Sequence, residues 1–311
     1  MNKATNRIKS IYLDWNVFQD IIQNRKSTKL VENLTSGKSK GFPTPYSHAH
    51  IEDLLRCSNH NYTKNDLEKL GEITGKWCIG RNKDGSGFCL DRIPPICIYE
   101  AMAKDKRRPE PAEFNFKFQP YIVDKDKISN DNVLIPFLER YNGIMSAELM
   151  DSFVAHLLEN GLNDYKLQRN FRNSIIEIIK INQPATEEIK QWPIYNYLLS
   201  SEEEIKSKFI TIFESFLKMD GRSIELISEE EKFTTAYGVL DFFPAFKEKI
   251  EKKNNMRNML TDALHVYIAS HCSYFICGDT SSIKKAKLIY QAFNIKTRVY
   301  HVDDFINKVE I

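Results

Sequence analysis

The amino-acid sequence predicts an α/β protein whose parallel sheet is assembled from both ends of the chain. Near the start, the β-branched run Ile8 to Leu13 leads into an acidic turn and then into an apolar helical pattern. Near the end, two further short apolar runs alternate with helical patterns. Strands that alternate with helices form βαβ units, which build parallel sheets. The long stretch between the two ends carries mostly helical patterns, so we predict a helical insertion in an α/β core.

The first part of the core contains two predicted strand–helix pairs. The strand Ile8 to Leu13 ends at Asp14, and apolar residues at helical spacing follow it. A second short strand is predicted at Gly41 to Tyr46, where two prolines indicate a strand end rather than a strand centre. Ser47 then provides an N-cap for a helix over His48 to Arg56. Each strand is therefore followed directly by a helix.

The last part of the chain repeats this alternation. A helix is predicted over Met256 to Ser270, with Thr261 as an alternative start. A short buried strand at Tyr274 to Cys277 follows, then a helix over Ser282 to Phe293 and a last strand at Thr297 to Val302. In parallel sheets of this kind, ligands bind beyond the carboxyl ends of the strands. That edge is where functional residues are expected.

The boundaries of the insertion follow from the change of pattern along the chain. We assign residues 1–58 and 234–311 to the α/β core and residues 59–233 to the insertion. The predicted helices of the insertion are Leu134 to Arg140, Ala147 to Glu159, Leu167 to Ile181 and Ser200 to Met219. The spacing of apolar residues in the last of these predicts a buried stripe.

Composition indicates a soluble globular protein. Of the 311 residues, 42% are hydrophobic and 28% are charged, which excludes a disordered chain. The net charge of +2 is nearly balanced, so attraction to a polyanion must come from local patches. Because no apolar run is long enough to span a bilayer and the start lacks a leader pattern, we expect a cytoplasmic protein. The six cysteines form no CxxC pair, and Cys57 with His60 is a weak zinc-ligand spacing, so free thiols are expected.

Acidic residues fall where a parallel sheet would bring them together. They are Asp14 after the first strand, Glu52 and Asp53 after the second, Asp262 before the third and Asp279 directly after it. Partly desolvated carboxylates that lie close together repel one another, and a divalent cation relieves that cost. Hard Mg²⁺ prefers oxygen ligands and retains water that can attack phosphorus. The amide of Asn16 can orient a carboxylate or that water.

Three blocks of the sequence resemble those of PIN-domain nucleases. They are Ile11 to Phe18 (IYLDWNVF), Ser47 to Leu54 (SHAHIEDL) and Thr261 to Ala269 (TDALHVYIA), the last continuing into Tyr274 to Asp279 (YFICGD). The resemblance covers about the first 55 and about the last 75 residues, and its short motifs gain weight from their order. It implies a three-layer α/β/α core that cleaves RNA with Mg²⁺ or Mn²⁺.

The resemblance also implies which acids bind the metal. The first, third and fourth acids of the family fall on Asp14, Asp262 and Asp279. The second falls on Asp53, with Glu52 as the substitute candidate. Two departures matter: Cys277 stands where the family usually has threonine or serine, and the long insertion separates this chain from the small toxin-type members. The tRNA or ribosomal targets of those members therefore do not carry over.

Each candidate residue also has a purely structural interpretation. An aspartate that ends a strand is often a turn former, Asp279 can cap the following helix, and Asp262 can be a first-turn residue if its helix begins at Thr261. His50 and His265 each lie three residues from an acid on the same helical face. We expect each histidine to hydrogen-bond that neighbouring carboxylate rather than to contact phosphate.

Basic clusters are candidates for contacting the phosphate backbone of a nucleic acid. They are Lys104 to Arg108, Arg169 with Arg172, Lys247 to Lys253, and Lys284 and Lys285 with Lys287. Charge runs are usually solvated faces, which is the favoured interpretation for each cluster. The alternating Phe114, Phe116 and Phe118 can stack unpaired bases, but spacing at period two is more typical of a strand face.

These features together predict a metal-dependent endoribonuclease. Asp14, Asp53, Asp262 and Asp279 would hold one or two Mg²⁺ or Mn²⁺ ions, and water would attack in line to leave a 3′-hydroxyl and a 5′-phosphate. The insertion would shape the substrate channel or bind a protein partner, and a homo-oligomer remains open. The resemblance further suggests a role in stress response or phage defence.

Two rival functions remain open at this stage. One keeps the enzyme but changes the substrate to single-stranded or branched DNA, since selection for the 2′-hydroxyl depends on contacts that the sequence does not place. The other is a non-catalytic scaffold that binds nucleic acid or protein. A phosphatase of the haloacid dehalogenase type is disfavoured, because Asp14-Trp15-Asn16 lacks the second carboxylate of that family's nucleophile motif.

Overall fold

The chain folds into two compact units. The computed structural model describes residues 7–25, 28–56, 60–82, 84–85, 87–105, 120–160, 164–181, 197, 200–219, 221–248 and 256–308. The core unit comprises Met1–Arg108 with Thr261–Ile311, and the insertion unit comprises Pro109–Leu260. The division therefore lies later along the chain than the predicted boundaries after residues 58 and 233.

Strands and helices alternate at both ends of the chain, and helices dominate between them. The strands are β1 (Ile8–Leu13), β2 (Trp77–Arg81), β3 (Phe88–Arg92), β4 (Tyr121–Ile122), β5 (Ile144–Met145), β6 (Cys272–Cys277) and β7 (Arg298–His301). The helices are α1 (Trp15–Ile22), α2 (Thr28–Ser39), α3 (His48–Leu55), α4 (His60–Thr74), α5 (Pro95–Lys104), α6 (Ile135–Arg140), α7 (Ala147–Asn160), α8 (Tyr165–Ile181), α9 (Glu202–Met219), α10 (Glu229–Leu240), α11 (Met256–Ala269), α12 (Thr280–Ala292) and α13 (Val302–Lys308). The predicted α/β class is confirmed.

A parallel sheet in the order β1-β6-β7 is the main sheet of the core unit. Strand β6 lies in the middle, with Ile276 opposite Leu13 of β1 and Phe275 opposite Val299 of β7. The last residues of β1 and β6 are buried, as expected for a parallel sheet that is covered on both faces. The predicted parallel sheet is confirmed.

The strand predicted at Gly41 to Tyr46 is wrong. Only Tyr46 forms a β-bridge, in parallel with Cys78 of β2. On the other side, the Pro43 carbonyl accepts a hydrogen bond of 3.0 Å from the Ile11 amide. The segment is extended between β1 and β2, but a proline has no N–H to donate and cannot continue a ladder.

Two other differences concern the last part of the chain. Helix α11 begins at Met256, so the alternative start at Thr261 is wrong. The last strand ends at His301, and Val302 begins the unpredicted helix α13, whose first turn contains Asp303 and Asp304. Acidic residues in the first turn favour a helix there, because they interact with the positive end of the helix dipole.

The later division of the chain has a physical reason in the buried core. Leu67 and Leu70 of α4 and Cys78 of β2 belong to the same buried cluster as Ile11 and Phe18. The sequence predicts these residues in the insertion, yet burial of their apolar surface joins α4 and the antiparallel β2–β3 hairpin to the core unit.

The insertion unit has an apolar core of its own. That core includes Leu138 of α6, Phe153 of α7 and Ile178 of α8. The predicted helices are observed within a few residues of their expected bounds, and Phe209 and Phe213 are buried as the predicted stripe requires. Among the residues that the structure describes, no helix combines the length and apolarity needed to cross a bilayer. The alternating phenylalanines at 114–118 and Cys57 lie outside the described residues.

Candidate active site at the carboxyl edge of the sheet

The parallel pairing of β1 with β6 brings two of the predicted acids to one edge. The Asp14 amide donates a hydrogen bond of 2.9 Å to the Ile276 carbonyl, which extends the ladder one residue past β1. Asp14 is the N-terminal flanking residue of α1, and Asp279 holds the same position before α12. Both acids therefore follow directly from strand ends, as the sequence predicts.

The thiol of Cys277 contacts two predicted acids and lies within electrostatic range of a third. Its sulfur lies 3.6 Å from the Asp14 carboxylate and 3.3 Å from the Asp279 amide nitrogen. Burial raises the pKa of this thiol well above its ordinary value, and the charges of Asp14, Asp279 and Asp262 raise it further. We call Asp14, Asp262 and Asp279 around this sulfur the acidic cluster.

Asp14 is a buried carboxylate whose charge has little compensation. It is only 5% exposed, and its side-chain contacts are the Asn16 amide at 3.4 Å, the Cys277 thiol and the Trp15 backbone amide. Burial raises the pKa of Asp14; the charge of Asp53 adds to this, while His265 acts in the opposite direction. None of these groups carries a positive charge, so ionised Asp14 is costly in this environment.

Asp53, rather than Glu52, connects to the site. The Asp53 carboxylate lies 3.0 Å from His265 Nε2 and 3.4 Å from the Arg56 guanidinium. Its charge contributes to the raised pKa of Asp14, after the effect of burial, so the two carboxylates are within electrostatic range. Within the described part of the chain, half-exposed Glu52 makes no hydrogen bond or ion pair.

The two histidines bond different partners from those predicted. His265 contacts Asp53 of another helix instead of Asp262. Among the described residues His50 bonds no carboxylate: its Nε2 lies 2.8 Å from the Leu13 carbonyl, and its Nδ1 accepts from the Ser47 amide in a capping box. Burial lowers the pKa of His50 well below its ordinary value, which fits a neutral ring with its proton on Nε2. Both predicted pairings are wrong, because tertiary contacts override helical spacing.

A buried chain of hydrogen bonds continues from the ring nitrogen of His265 that does not contact Asp53. The Tyr12 hydroxyl lies 2.8 Å from His265 Nδ1 and 2.7 Å from the Ser47 hydroxyl, which in turn contacts His50. Tyr12 is not among the functional residues predicted from the sequence. A phenol in a buried strand segment needs a partner for its hydroxyl, and this is the signal that points to Tyr12.

The remaining two acids are placed differently. Asp262 lies more than one turn into α11, so the interpretation as a first-turn residue does not apply. Asp279 does cap α12: its carboxylate accepts from the Ser281 amide at 3.3 Å, and from the Ser282 amide and hydroxyl at 2.9 and 2.8 Å. Asp279 therefore has the helix-capping role that its purely structural interpretation predicts.

The carboxylate oxygens of the acidic cluster are the ligand type that a hard divalent cation prefers, but their arrangement is not that of a formed metal site. The acidic cluster offers carboxylate oxygens, and buried Asp14 would gain from a positive charge beside it. Yet among the described residues no group of three or more His, Cys, Asp or Glu side chains is arranged to hold a metal ion. Asp279 would have to share its capping oxygens with the cation.

Comparisons with known proteins identify no relative of this chain. No family model matches the chain, and no curated protein or solved structure matches it either. The resemblance to PIN-domain nucleases therefore stays a prediction from three short blocks.

Proposed function

We propose that the core unit is a metal-dependent nuclease that hydrolyses RNA at the acidic cluster. One observation carries this proposal: Asp14 and Asp279 flank one buried thiol at the carboxyl edge of a parallel sheet, and Asp262 lies within electrostatic range of that thiol. Carboxylates at such an edge, with one of them buried and its pKa raised by that burial, are typical of a functional site.

The acidic cluster would hold Mg²⁺ or Mn²⁺. When bound, such an ion would neutralise negative charge at the phosphate. It would also lower the pKa of water, which then loses a proton more easily and attacks phosphorus. The protein's part is to fix the carboxylates. Asn16 orients Asp14, and His265, held by Tyr12, orients Asp53 beside the cluster.

The test uses the full chain and end-labelled single-stranded RNA with Mg²⁺, with Mn²⁺ and with a chelator. We expect cleavage with metal, no cleavage with chelator, and products with 5′-phosphate ends. Asp14→Asn should lower the cleavage rate by about 1,000-fold, which corresponds to about 4 kcal/mol in the barrier.

The matched control is Asp20→Asn on the same helix. Asp20 pairs with Arg25 at 3.1 Å and lies outside the acidic cluster, so its loss should leave cleavage unchanged. Cleavage that survives both the chelator and Asp14→Asn would refute the metal mechanism. A parallel DNA strand of the same sequence tests the alternative substrate.

One observation favours a second candidate, a nucleic-acid-binding scaffold without catalysis. All four carboxylate oxygens of Asp53 and Asp279 already contact protein groups. A scaffold would bind RNA in chelator and show no cleavage with any metal or substrate. Metal-dependent cleavage that Asp14→Asn removes would exclude it.

A further inference from the structure

The carboxyl end of β2 reaches the same edge as the acids. Tyr46 bridges Cys78 in parallel, with its amide 2.9 Å from the Trp77 carbonyl and its carbonyl 2.8 Å from the Ile79 amide. Tyr46 directly precedes Ser47 and α3, so β2 and this segment run in the same direction. Arg81, the last residue of β2, therefore lies toward the edge where α3 begins.

The start of α3 is itself fixed at the acid edge. His50 contacts the carbonyl of Leu13, the last residue of β1, and Asp14 follows immediately. The ends of β1, β2 and β6 thus share one side of the core unit. Arg81 falls within the predicted insertion, and it is not among the functional residues predicted from the sequence.

Arg81 is an exposed cation that the fold holds in place. Its guanidinium donates a hydrogen bond of 3.0 Å to the Tyr267 hydroxyl and lies 5.7 Å from the centre of that ring. Tyr267 is buried in α11, two residues beyond His265. Anchoring on a buried phenol restricts the guanidinium, so less conformational entropy is lost when it binds an anion.

An aromatic pair lies beside this cation. Phe88 of β3 is the cross-strand partner of Arg81 and stacks on His271 at 4.1 Å, with 20° between the ring planes. It also meets the Tyr267 ring edge-on at 5.6 Å. Burial, followed by the charge of Arg81, lowers the pKa of His271 to about 4, so this ring is neutral at physiological pH. Phe88 remains half-buried and keeps part of its surface exposed.

A histidine connects this region to the acid site. Burial, followed by the charges of His265 and Arg81, lowers the pKa of His48 to about 4. His48 is therefore within electrostatic range of both Arg81 and His265, and His265 contacts Asp53. The cation and the carboxylates are neighbours on one edge.

We propose that Arg81 and Phe88 form a substrate rim of the acidic cluster, where Arg81 binds a phosphate and Phe88 stacks an unpaired base of single-stranded RNA. The rim rests on the proposed function for its substrate class. Guanidinium groups match phosphate geometry, and aromatic faces accept any unpaired base. A strand bound here would lead its backbone toward Asp53 and Asp14.

The test measures RNA binding in chelator, so that it does not depend on cleavage. The full chain is titrated into a fluorescent RNA strand of about 12 nucleotides at several salt concentrations, and anisotropy gives the affinity. Arg81→Gln should weaken binding about tenfold and lower the salt slope by about 0.7, the loss of one phosphate contact to a single strand. Phe88→Leu should weaken binding about fivefold without changing the slope.

The matched control is Arg92→Gln at the far end of the same hairpin. Arg92 is exposed and lies 4.8 Å over the Trp77 ring, so it resembles Arg81 in charge and aromatic contact but belongs to the opposite end of the ladder. Its loss should leave affinity and slope unchanged. Arg81→Lys keeps the charge and should retain most of the salt slope.

The rim and the nuclease proposal fail in different ways. Cleavage by the wild type together with unchanged RNA binding by Arg81→Gln and Phe88→Leu would overturn the rim and leave the nuclease. Loss of binding in both variants without cleavage under any metal would support the rim and overturn the nuclease. Wild-type protein that binds no RNA, or binds only the matching DNA strand, would also overturn the rim.

Discussion

Two buried aspartates, one in each unit, are satisfied in opposite ways. Asp14 in the core unit is 5% exposed and Asp241 in the insertion unit is 6% exposed. Asp241 accepts from the Arg172 guanidinium at 2.9 Å and from the Glu248 amide at 2.7 Å. Asp14 contacts the Asn16 amide at 3.4 Å, a thiol and the Trp15 backbone amide, and none of these groups is charged. The two carboxylates are thus equally buried, but their negative charges are offset to very different extents.

The difference separates a structural carboxylate from a functional one. A buried charge is tolerated when it is paired and hydrogen-bonded, as Asp241 is. Arg172 also donates to the Glu248 carbonyl at 2.9 Å, and the Tyr237 hydroxyl donates to the Glu248 carboxylate at 2.8 Å, so the network closes on itself. Asp14 is kept at the end of a strand without such compensation, which favours a role in binding a cation.

The largest expected loss of stability comes from breaking the network of Arg172, Asp241 and Glu248. Arg172→Met leaves Asp241 buried without its cation and should destabilise the protein by about 3–5 kcal/mol. Urea unfolding measures this loss. The double variant Arg172→Met with Asp241→Leu removes both charges and should recover most of the stability.

Arg169→Met provides the control on the same helix. Arg169 is exposed and lies 5.9 Å over the Tyr165 ring, so its loss should change stability by no more than about 0.5 kcal/mol. Equal losses from the two arginines would contradict the structural role assigned to the Arg172–Asp241 pair.

This pair also shows where sequence patterns stop being informative. The sequence groups Arg169 with Arg172 as one basic cluster, yet only Arg169 is exposed. The cluster at residues 284–287 divides likewise, because Lys285 is fully buried and its two neighbouring lysines are exposed. Local charge runs do not reveal a partner that is far away along the chain.

For the fold, periodicity located the strands β1 and β6 and most helices, because their burial follows from local spacing. It missed the β2–β3 hairpin, whose strands are short and whose place beside Tyr46 depends on a contact across the chain. For the site, strand ends identified the positions of Asp14 and Asp279. The pairing of His265 with Asp53 was not predictable, since it joins two helices distant in sequence.

Asp53 combines features of both buried aspartates and provides the intermediate case. It has a cationic neighbour in Arg56, as Asp241 has in Arg172, and lies within electrostatic range of Asp14. Asp53→Asn should lower stability by roughly 1.5–2 kcal/mol, the size of a hydrogen bond to a charged group. It should also slow cleavage, which separates it from Asp241. Unfolding and cleavage assays on the same preparation measure both effects.

Glu52→Gln is the control for Asp53→Asn, one residue earlier on α3. Glu52 is half-exposed, and in the described part of the chain it forms no ion pair, so we expect a change in stability of no more than about 0.5 kcal/mol. If Glu52→Gln removed cleavage and Asp53→Asn did not, the assignment of the second acid would shift by one residue.

The smallest expected effect is a gain in stability, not a loss, and it comes from Asp14→Asn. Burial raises the pKa of Asp14 above its ordinary value of 3.8 in the folded protein. Folding therefore favours the protonated carboxyl, and this contribution is complete below the ordinary pKa and is lost as the pH rises through the folded value. The asparagine side chain in Asp14→Asn is uncharged at every pH, so the stability of this variant relative to wild type should increase as the pH rises.

At neutral pH with chelator present, Asp14→Asn should be more stable than wild type by up to about 1 kcal/mol. Asp20→Asn, which removes a partly exposed ion pair instead, should show no such gain. Added Mn²⁺ should reverse the order, because a ligand that binds only the folded wild type stabilises it by mass action. If Asp14→Asn were less stable than wild type in chelator at neutral pH, Asp14 would resemble Asp241, and the contrast between the two carboxylates would disappear.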